Sequence, residues 1–156
     1  AVKAAAMWCH YNNDPALGAI YGKLYNWYAV KLLQMDIDYY NVANPTATWG
    51  WRVPTSADFT TLQTYLGGYS IAGGKMKKEG TNYWGNPNDA DNSSGFSAIG
   101  GGLRAISGLN IQLYTSTEFC CIDTYSMRLI HYEKTSSIQG VSGYVMSGRS
   151  LRLIKA

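Results

Sequence analysis

Apolar residues at helical spacing mark the clearest secondary-structure element of the chain, in the sequence VPTSADFTTLQTYLGG. Phe59, Leu62 and Leu66 recur at intervals of three and four residues, as on one face of an amphipathic helix. Thr55 precedes them in the position of an N-cap, and Asp58 follows three residues later, where a capping carboxylate belongs. The pattern predicts a helix that starts after Thr55 and ends at the Gly-Gly pair that follows Leu66.

The rest of the pattern is that of short strands and one long loop. The aromatic stretch at residues 21–30 fits a buried strand better than a helix, and the AVKLLQM sequence that overlaps it fits either. Residues 73–102 are rich in glycine and asparagine, which predicts a long loop held by a few apolar anchors. From Ile111 onward, short β-like runs alternate with serine and glycine turns. We expect a core of large apolar residues from all these regions, comprising Trp27, Trp49, Trp51, Phe59, Leu62, Trp84, Phe96, Leu151 and Leu153.

Length and composition favour one turn-rich domain. A chain of 156 residues is long enough to bury one core, and 15% charged and 13% aromatic residues are typical of a β-containing fold. The net charge of +3 is small, and lysines are scattered apart from KMKK at residues 75–78, so we expect no nucleic-acid partner. No apolar run reaches the roughly 18–20 residues that a membrane span needs, so we expect no membrane insertion.

The three cysteines leave at least one thiol unpaired, and two of them, Cys120 and Cys121, are adjacent. Adjacent cysteines rarely bond to each other, because the bridge strains the peptide between them. Their spacing is not the C-x-x-C of zinc or thioredoxin-like sites, and the chain has only two histidines. The sequence leaves open whether Cys9 forms a disulfide with Cys120 or Cys121. We expect no bound metal and no cofactor.

Several separated motifs occur in an order that is characteristic of one family. They are WCHYNNDP at residues 8–15, YGKLYNWYAV at 21–30, GWRVPTSADFTTL at 50–62, AGGKMK at 72–77, NSSGFSAIGGGLR at 92–104, TSTE at 115–118 and GRSLRLIKA at 148–156. Together they resemble the Fibrobacter succinogenes major paralogous domain over nearly the whole chain. That family is related to the scaffold of formylglycine-generating enzymes and of the variable proteins of diversity-generating retroelements. The resemblance implies an α+β, C-type-lectin-like fold with a small twisted antiparallel sheet, one or two helices and a long irregular loop region.

The chain departs from the family pattern in two places. Members usually open with an IG-x-Q-x-W strand leading to NL, and nothing before Met7 resembles it. We therefore expect residues 1–6 to be a linker or a truncated N-terminus, and residues 7–156 to form a single domain. Members also tend to carry asparagine- and tyrosine-rich strands over residues 119–144, whereas this chain has no asparagine after Asn110.

The relation to formylglycine-generating enzymes raises the question whether the paired thiols are catalytic. Such chemistry needs two sulfurs facing one cavity, but successive residues of a strand point to opposite faces. The nearest acidic residue to His131 is Glu133, only two positions along the chain, and residues 116–118 lack a nucleophile elbow. We therefore expect no enzymatic activity.

A calcium site is the second alternative. The sequence NPNDADN, residues 86–92, offers side-chain oxygens suited to a hard cation. The same residue types are ordinary in turn-rich loops, and the spacing matches neither an EF-hand nor a lectin calcium motif. We expect a loop without calcium here.

The resemblance to retroelement-diversified proteins gives another explanation of the cysteine pair. In such proteins template adenines are randomised, so asparagine codons near the end of the gene are replaced. In a strand over this region, Tyr125, Met127 and Leu129 would alternate onto the core face, leaving the residues between them outward. The positions that we expect to be variable, exposed and in contact with the ligand are Phe119, Cys120, Cys121, Ile122, Asp123, Ser126, Arg128, Ile130, Tyr132, Val141, Ser142 and Tyr144.

We therefore expect a binding module located outside the cell, on a bacterial surface or on a phage particle. Its ligand would be a protein or a glycan on a cell surface. The alternative is a bacterial surface domain with a structural or adhesion role and no diversified face. An oxidoreductase of the formylglycine-generating type is a third, weaker interpretation.

Overall fold

A computed structural model describes residues 5–47, 49–123, 126–131, 136–140 and 145–156, with the backbone alone given for 126–131 and 136–140. Within these ranges the chain has an α+β fold. The helices are α1 (Pro15–Tyr21), α2 (Trp27–Ala43), α3 (Ser56–Tyr65) and α4 (Tyr69–Met76). The strands are β1 (Trp8–Cys9), β2 (Leu24–Tyr25), β3 (Trp51–Arg52), β4 (Gly101–Arg104), β5 (Asn110–Leu113), β6 (Ser116–Cys120), β7 (Ser126–His131), β8 (Ser136–Gly140) and β9 (Ile154–Lys155).

The main sheet has five strands in the order β5-β4-β6-β7-β8. β4 and β6 run parallel, with Gly102 opposite Thr117, and the other neighbouring pairs of this sheet are antiparallel. β6 is therefore a central strand with a neighbour along each edge, and all five of its residues are buried. β1 with β2 and β3 with β9 form two separate two-stranded antiparallel sheets.

The segment before β9 joins several parts of the fold. Gly148 forms an antiparallel bridge with Arg104 of β4, and Ser150 forms a parallel bridge with Phe119 of β6. Between them, Arg149 bridges to Tyr25 of β2. Residues 148–150 therefore connect the five-stranded sheet to the N-terminal strand pair.

The start of α2 corrects one prediction in part: within the stretch at residues 21–30 only Leu24–Tyr25 form a strand, and residues 27–30 already belong to α2. Asn26 is the N-cap of α2, and its Oδ1 accepts hydrogen bonds from Ala29 N at 3.0 Å and from Met7 N at 3.0 Å. Its Nδ2 donates to Ala5 O at 2.7 Å. A single buried amide thus starts the helix and ties residues 5–7 to it.

The predicted helix after Thr55 is confirmed as α3. Thr55 Oγ1 accepts from Asp58 N at 3.2 Å, and Asp58 Oδ2 accepts from Thr55 N at 2.7 Å, which is a complete capping box. The glycine pair after the helix also behaves as expected: Gly68 N donates to Gln63 O at 2.8 Å, and Gly68 is the residue before α4.

The expected long loop is shorter than the sequence indicated, because α4 includes residues up to Met76. Residues 77–100 contain no helix or paired strand of two or more residues. Trp84 anchors this loop: it is 1% exposed, and its Nε1 donates to Ala98 O at 2.9 Å. The prediction of a loop braced by buried aromatic residues holds for this part.

The core consists of two clusters on opposite sides of β6. The first contains Phe59, Leu66, Ala72, Met76, Trp84, Ala98, Phe119 and Cys121, with Leu62 and Phe96 packed against it. The second contains Val30, Val53 and Cys120, with Leu151 and Leu153 among the partly buried residues packed against it. Of the predicted core, Phe59 and Trp84 are buried, and Leu62, Phe96, Leu151 and Leu153 are partly buried against the two clusters.

Three tryptophans depart from the predicted core. Trp49 and Trp51 are 46% and 39% exposed, so their placement in the core was wrong, and Trp27 is only half-buried. Trp51 lies in the two-stranded β3–β9 pair, opposite Lys155. None of the helices in the described ranges is both long and apolar enough to cross a membrane.

Candidate functional site

The structure buries the first part of the expected ligand-contacting surface. Phe119, Cys120 and Cys121 are 4%, 5% and 1% exposed, so the prediction that they are solvent-facing was wrong. The Phe119 ring stacks on Phe59 at 6.0 Å between centroids and meets Phe96 edge-on at 5.5 Å. These residues are buried because side chains of the first core cluster cover one face of this segment and those of the second cluster cover the other.

The cysteine pair has the properties of core residues. All three cysteines are free, which excludes the disulfide from Cys9 that the sequence left open. The Cys120 thiol lies 3.9 Å from Tyr25 O, to which it donates a weak hydrogen bond. Burial raises the pKa of Cys120 to about 12, so the sulfur is protonated at neutral pH and is a poor nucleophile or metal ligand.

The next two positions also have structural partners. Ile122 is half-buried against the second cluster, and its N donates to Pro54 O at 3.0 Å. Asp123 is exposed, but its carboxylate accepts from Ser56 N at 2.9 Å and from Ser56 Oγ at 2.6 Å. Since Ser56 is the first residue of α3, Asp123 fixes the start of that helix.

The remaining expected positions fall where side chains are not described. Ser126, Arg128 and Ile130 lie in β7, for which only the backbone is given, as it is for Met127 and Leu129. Tyr125, Tyr132, Val141, Ser142 and Tyr144 lie outside the described residues. Whether these positions form a variable face therefore stays a prediction.

An apolar groove of about 430 Å³ lies beside α3. We call it the α3 groove. One wall is the helix itself, through Phe59, Leu62 and Tyr65. Phe96 of the long loop and Ile154 of β9 form the opposite side. Since Tyr65 is 85% exposed, the groove presents a free aromatic side chain at its opening.

Arg152 provides the positive charge of the α3 groove. Its guanidinium lies 4.4 Å from the centroid of the Phe96 ring and donates a hydrogen bond to Phe96 O. Partial burial lowers the pKa of Arg152. A guanidinium is not deprotonated in proteins, so the group remains charged at neutral pH. Stacking on Phe96 holds this cation at the apolar lining, where it can meet an anionic group of a ligand.

Asp58 also lines the α3 groove, but its carboxylate is fully engaged. Arg52 binds it through two hydrogen bonds of 2.7 Å, and Thr55 donates to it through both N and Oγ1. The Arg52 hydrogen bonds hold the pKa of Asp58 well below its usual range. Asp58 is therefore part of the helix cap and is not available as a general acid or base.

The loop considered for calcium uses its polar side chains internally. Asn88 Nδ2 donates to Lys78 O and Gly80 O at 3.0 and 2.7 Å, and Asp91 accepts from Ser93 N and Oγ at 3.0 and 2.8 Å. Within the ranges that the structure describes, no group of three or more histidine, cysteine, aspartate or glutamate side chains could hold a metal ion.

The sequence analysis missed the groove residues Tyr65 and Arg152, although a signal exists for both. Tyr65 follows Leu62 by three residues on α3, so the two occupy neighbouring positions on the helix surface. Arg152 stands between Leu151 and Leu153, and strand alternation places it on the face opposite those two core residues. Neither pattern reveals that Phe96, from a distant loop, completes the groove.

Comparison with known proteins identifies one family. The model of the Fibrobacter succinogenes major domain matches residues 1–126, which confirms the resemblance found in the motifs. No curated protein and no solved structure shows significant similarity to the chain.

Proposed function

We propose that this chain, which belongs to the Fibrobacter succinogenes major domain family, acts as a ligand-binding module and not as an enzyme. The observation that carries the proposal is the α3 groove, an open apolar cavity with one fixed cation. Grooves that are mostly apolar with a few placed polar groups are typical of binding sites. Asp58, the carboxylate that lines the groove, supports this role, because Arg52 holds it in an ion pair.

The chemistry of the groove favours a protein ligand over a glycan. Its lining is aromatic and aliphatic, from Phe59, Leu62, Phe96 and Ile154, and it offers few hydrogen-bonding groups for sugar hydroxyls. An apolar or aromatic side chain would remove this lining from water, and a carboxylate next to it would pair with Arg152. We propose that the ligand is a protein segment presenting this combination, displayed outside the cell, on a bacterial surface or on a phage particle.

The finer assignment to a C-type-lectin-like fold belongs to the same proposal. It is supported by the small sheet, the helices beside it and the long loop at residues 77–100. The proposal that retroelement diversification varies the binding face is now restricted to Ser126, Arg128, Ile130, Tyr132, Val141, Ser142 and Tyr144. The cysteine pair, which motivated this proposal, is no longer part of the proposed face, because both cysteines are buried.

The test uses two small probes that differ in one group. 2-Naphthoate carries an aromatic ring and a carboxylate, and 2-naphthalenemethanol carries the same ring without charge. Each is titrated into the ¹⁵N-labelled chain while backbone amide shifts are recorded. We expect both to shift amides of α3 and of Phe96, and the carboxylate to bind more tightly. Arg152→Gln should remove that preference and leave the alcohol's affinity unchanged.

Lys155→Gln is the matched control, because it removes one positive charge from an exposed position three residues from Arg152. It should leave both affinities and their ratio unchanged. Amide shifts confined to other surfaces would contradict the α3 groove as the binding site. An equal effect of Arg152→Gln and Lys155→Gln on the probe affinities would contradict it as well. No shift with either probe would favour the alternative, a surface domain with a structural role.

A further inference from the structure

Helix α2 is apolar on two opposite sides. Its inner side contributes Val30 and Ile37, which are 0% and 3% exposed. On the outer side lies a row of apolar side chains that we call the outer stripe. The stripe consists of Leu32, Met35, Tyr39 and Val42, which are 50%, 57%, 77% and 82% exposed. Single exposed apolar residues are ordinary on protein surfaces, but a continuous row along one helix is not.

The spacing of the outer stripe is that of a helix-pairing seam. Its members follow one another at intervals of three, four and three residues, which is the a-d-a-d pattern of a heptad repeat. In this assignment Leu32 and Tyr39 are a positions, and Met35 and Val42 are d positions. A repeat of 3.5 residues keeps side chains in line along a second helix, whereas burial against a sheet requires no such regularity.

The charged residues beside the stripe indicate which partner fits. Lys31 occupies a g position and Asp36 the following e position, and both are exposed. In a parallel pair of identical helices, g of one copy faces e of the other five residues further on. Lys31 of each copy would then face Asp36 of the other, and two-fold symmetry forms this ion pair twice.

An antiparallel pair is disfavoured by the same residues. Aligning Leu32 with Val42 and Met35 with Tyr39 of the second copy brings the two Asp36 carboxylates together near the symmetry axis. The two Asp38 carboxylates would meet there as well. Like charges in close contact oppose association. The charge pattern therefore selects the parallel arrangement.

From these observations we propose that α2 pairs in parallel with α2 of a second copy of this chain, through the outer stripe. The stripe does not contribute to the α3 groove, so the proposal is independent of the ligand. With about 200 Å² for a fully exposed large side chain, the stripe amounts to roughly 500 Å² per copy, so a dimer would bury about 1,000 Å², at the lower limit of specific interfaces. A weak, micromolar dimer is expected.

Sedimentation equilibrium of the full chain tests the proposal over about 5–500 µM, a range that brackets a micromolar dissociation constant. Tyr39→Glu should raise the dissociation constant at least about tenfold, because it places a charge in the centre of the seam. Leu109→Glu is the matched control, since Leu109 is 65% exposed and lies in the turn before β5, away from α2. It should leave the dissociation constant unchanged.

A charge exchange tests the orientation. Lys31→Glu and Asp36→Lys should each weaken the dimer about two- to tenfold, and the double variant should restore the original affinity. The double variant is the decisive comparison, because Lys31 Nζ also lies 5.0 Å from the centroid of the Trp27 ring of its own chain. Asp36→Asn removes the partner of Lys31 in a parallel pair, but it removes the like-charge contact in an antiparallel pair. Strengthening of the dimer by Asp36→Asn would therefore indicate an antiparallel pair and overturn the proposal. A monomer throughout the range would overturn it too, and would assign the stripe to a different protein or to another segment of a longer chain.

Discussion

Truncation of Phe119 distinguishes a core residue from a variable surface residue. The ring is 4% exposed, stacks on Phe59 and meets Phe96 edge-on. Phe119→Ala removes these contacts and leaves a cavity between α3 and the sheet, which typically costs about 3–5 kcal/mol. For a chain of this length each kcal/mol lowers the melting midpoint by about 2–4 °C, so we expect a decrease of roughly 6–20 °C.

The assay is urea unfolding followed by circular dichroism, with the free energy taken by linear extrapolation. Tyr65→Ala is the control, because it truncates an aromatic residue that is 85% exposed, and it should stay within about 0.5 kcal/mol of the parent. A double-mutant cycle with Phe59→Ala should give a coupling of about 0.5–1.5 kcal/mol from the stacked pair. A loss below about 1 kcal/mol for Phe119→Ala would refute the burial of β6 and restore this position to the exposed face.

Two further predictions concern the thiols and the helix cap. Cys120→Ser and Cys121→Ser should each destabilise the fold by about 1–3 kcal/mol, because a hydroxyl replaces a thiol in an apolar site. Both thiols should also resist labelling by a thiol reagent in the native protein, and rapid labelling of either would contradict their burial. Because the pKa of Asp58 is lower in the folded chain than its unfolded value of about 3.9, its stabilising effect is complete above that value and is lost as the pH falls towards the folded pKa. Asp58→Asn should therefore flatten the acid side of the stability profile below about pH 4, and an unchanged profile would show that the Arg52 ion pair contributes nothing.

Sequence signals identified the elements whose determinants are local. The capping box of Thr55 and Asp58 lies within four residues, so it could be read directly and α3 was predicted correctly. The start of α2 was missed because tyrosine and tryptophan around Asn26 favour strands on average. The Asn26 side chain stabilises the start of the helix as its N-cap. It is held in place partly by hydrogen bonds to residues 5 and 7, which are distant in the sequence.

The burial of the cysteine pair depends on contacts that the sequence does not reveal. Alternation predicts that Cys120 and Cys121 point to opposite faces, which is correct, since they belong to different clusters. Alternation alone does not show that other parts of the chain cover both faces of this strand. One cover comes from α3 and α4, and the other from Val30 and the segment before β9, through contacts distant in the chain. The α3 groove is hidden from sequence analysis for the same reason.

The buried ion pair between Glu118 and Arg149 has a consequence for folding during synthesis. Arg149 Nε donates to Glu118 Oε2 at 2.6 Å, and both side chains are less than one tenth exposed. The ribosome makes Glu118 31 residues before its partner, a delay of roughly 2–6 s at ordinary rates of translation. During that time, burying β6 would place a carboxylate in the core without its counter-ion, which is strongly unfavourable. Closing the central strand of the nascent chain is therefore unfavourable until residues 148–150 have emerged.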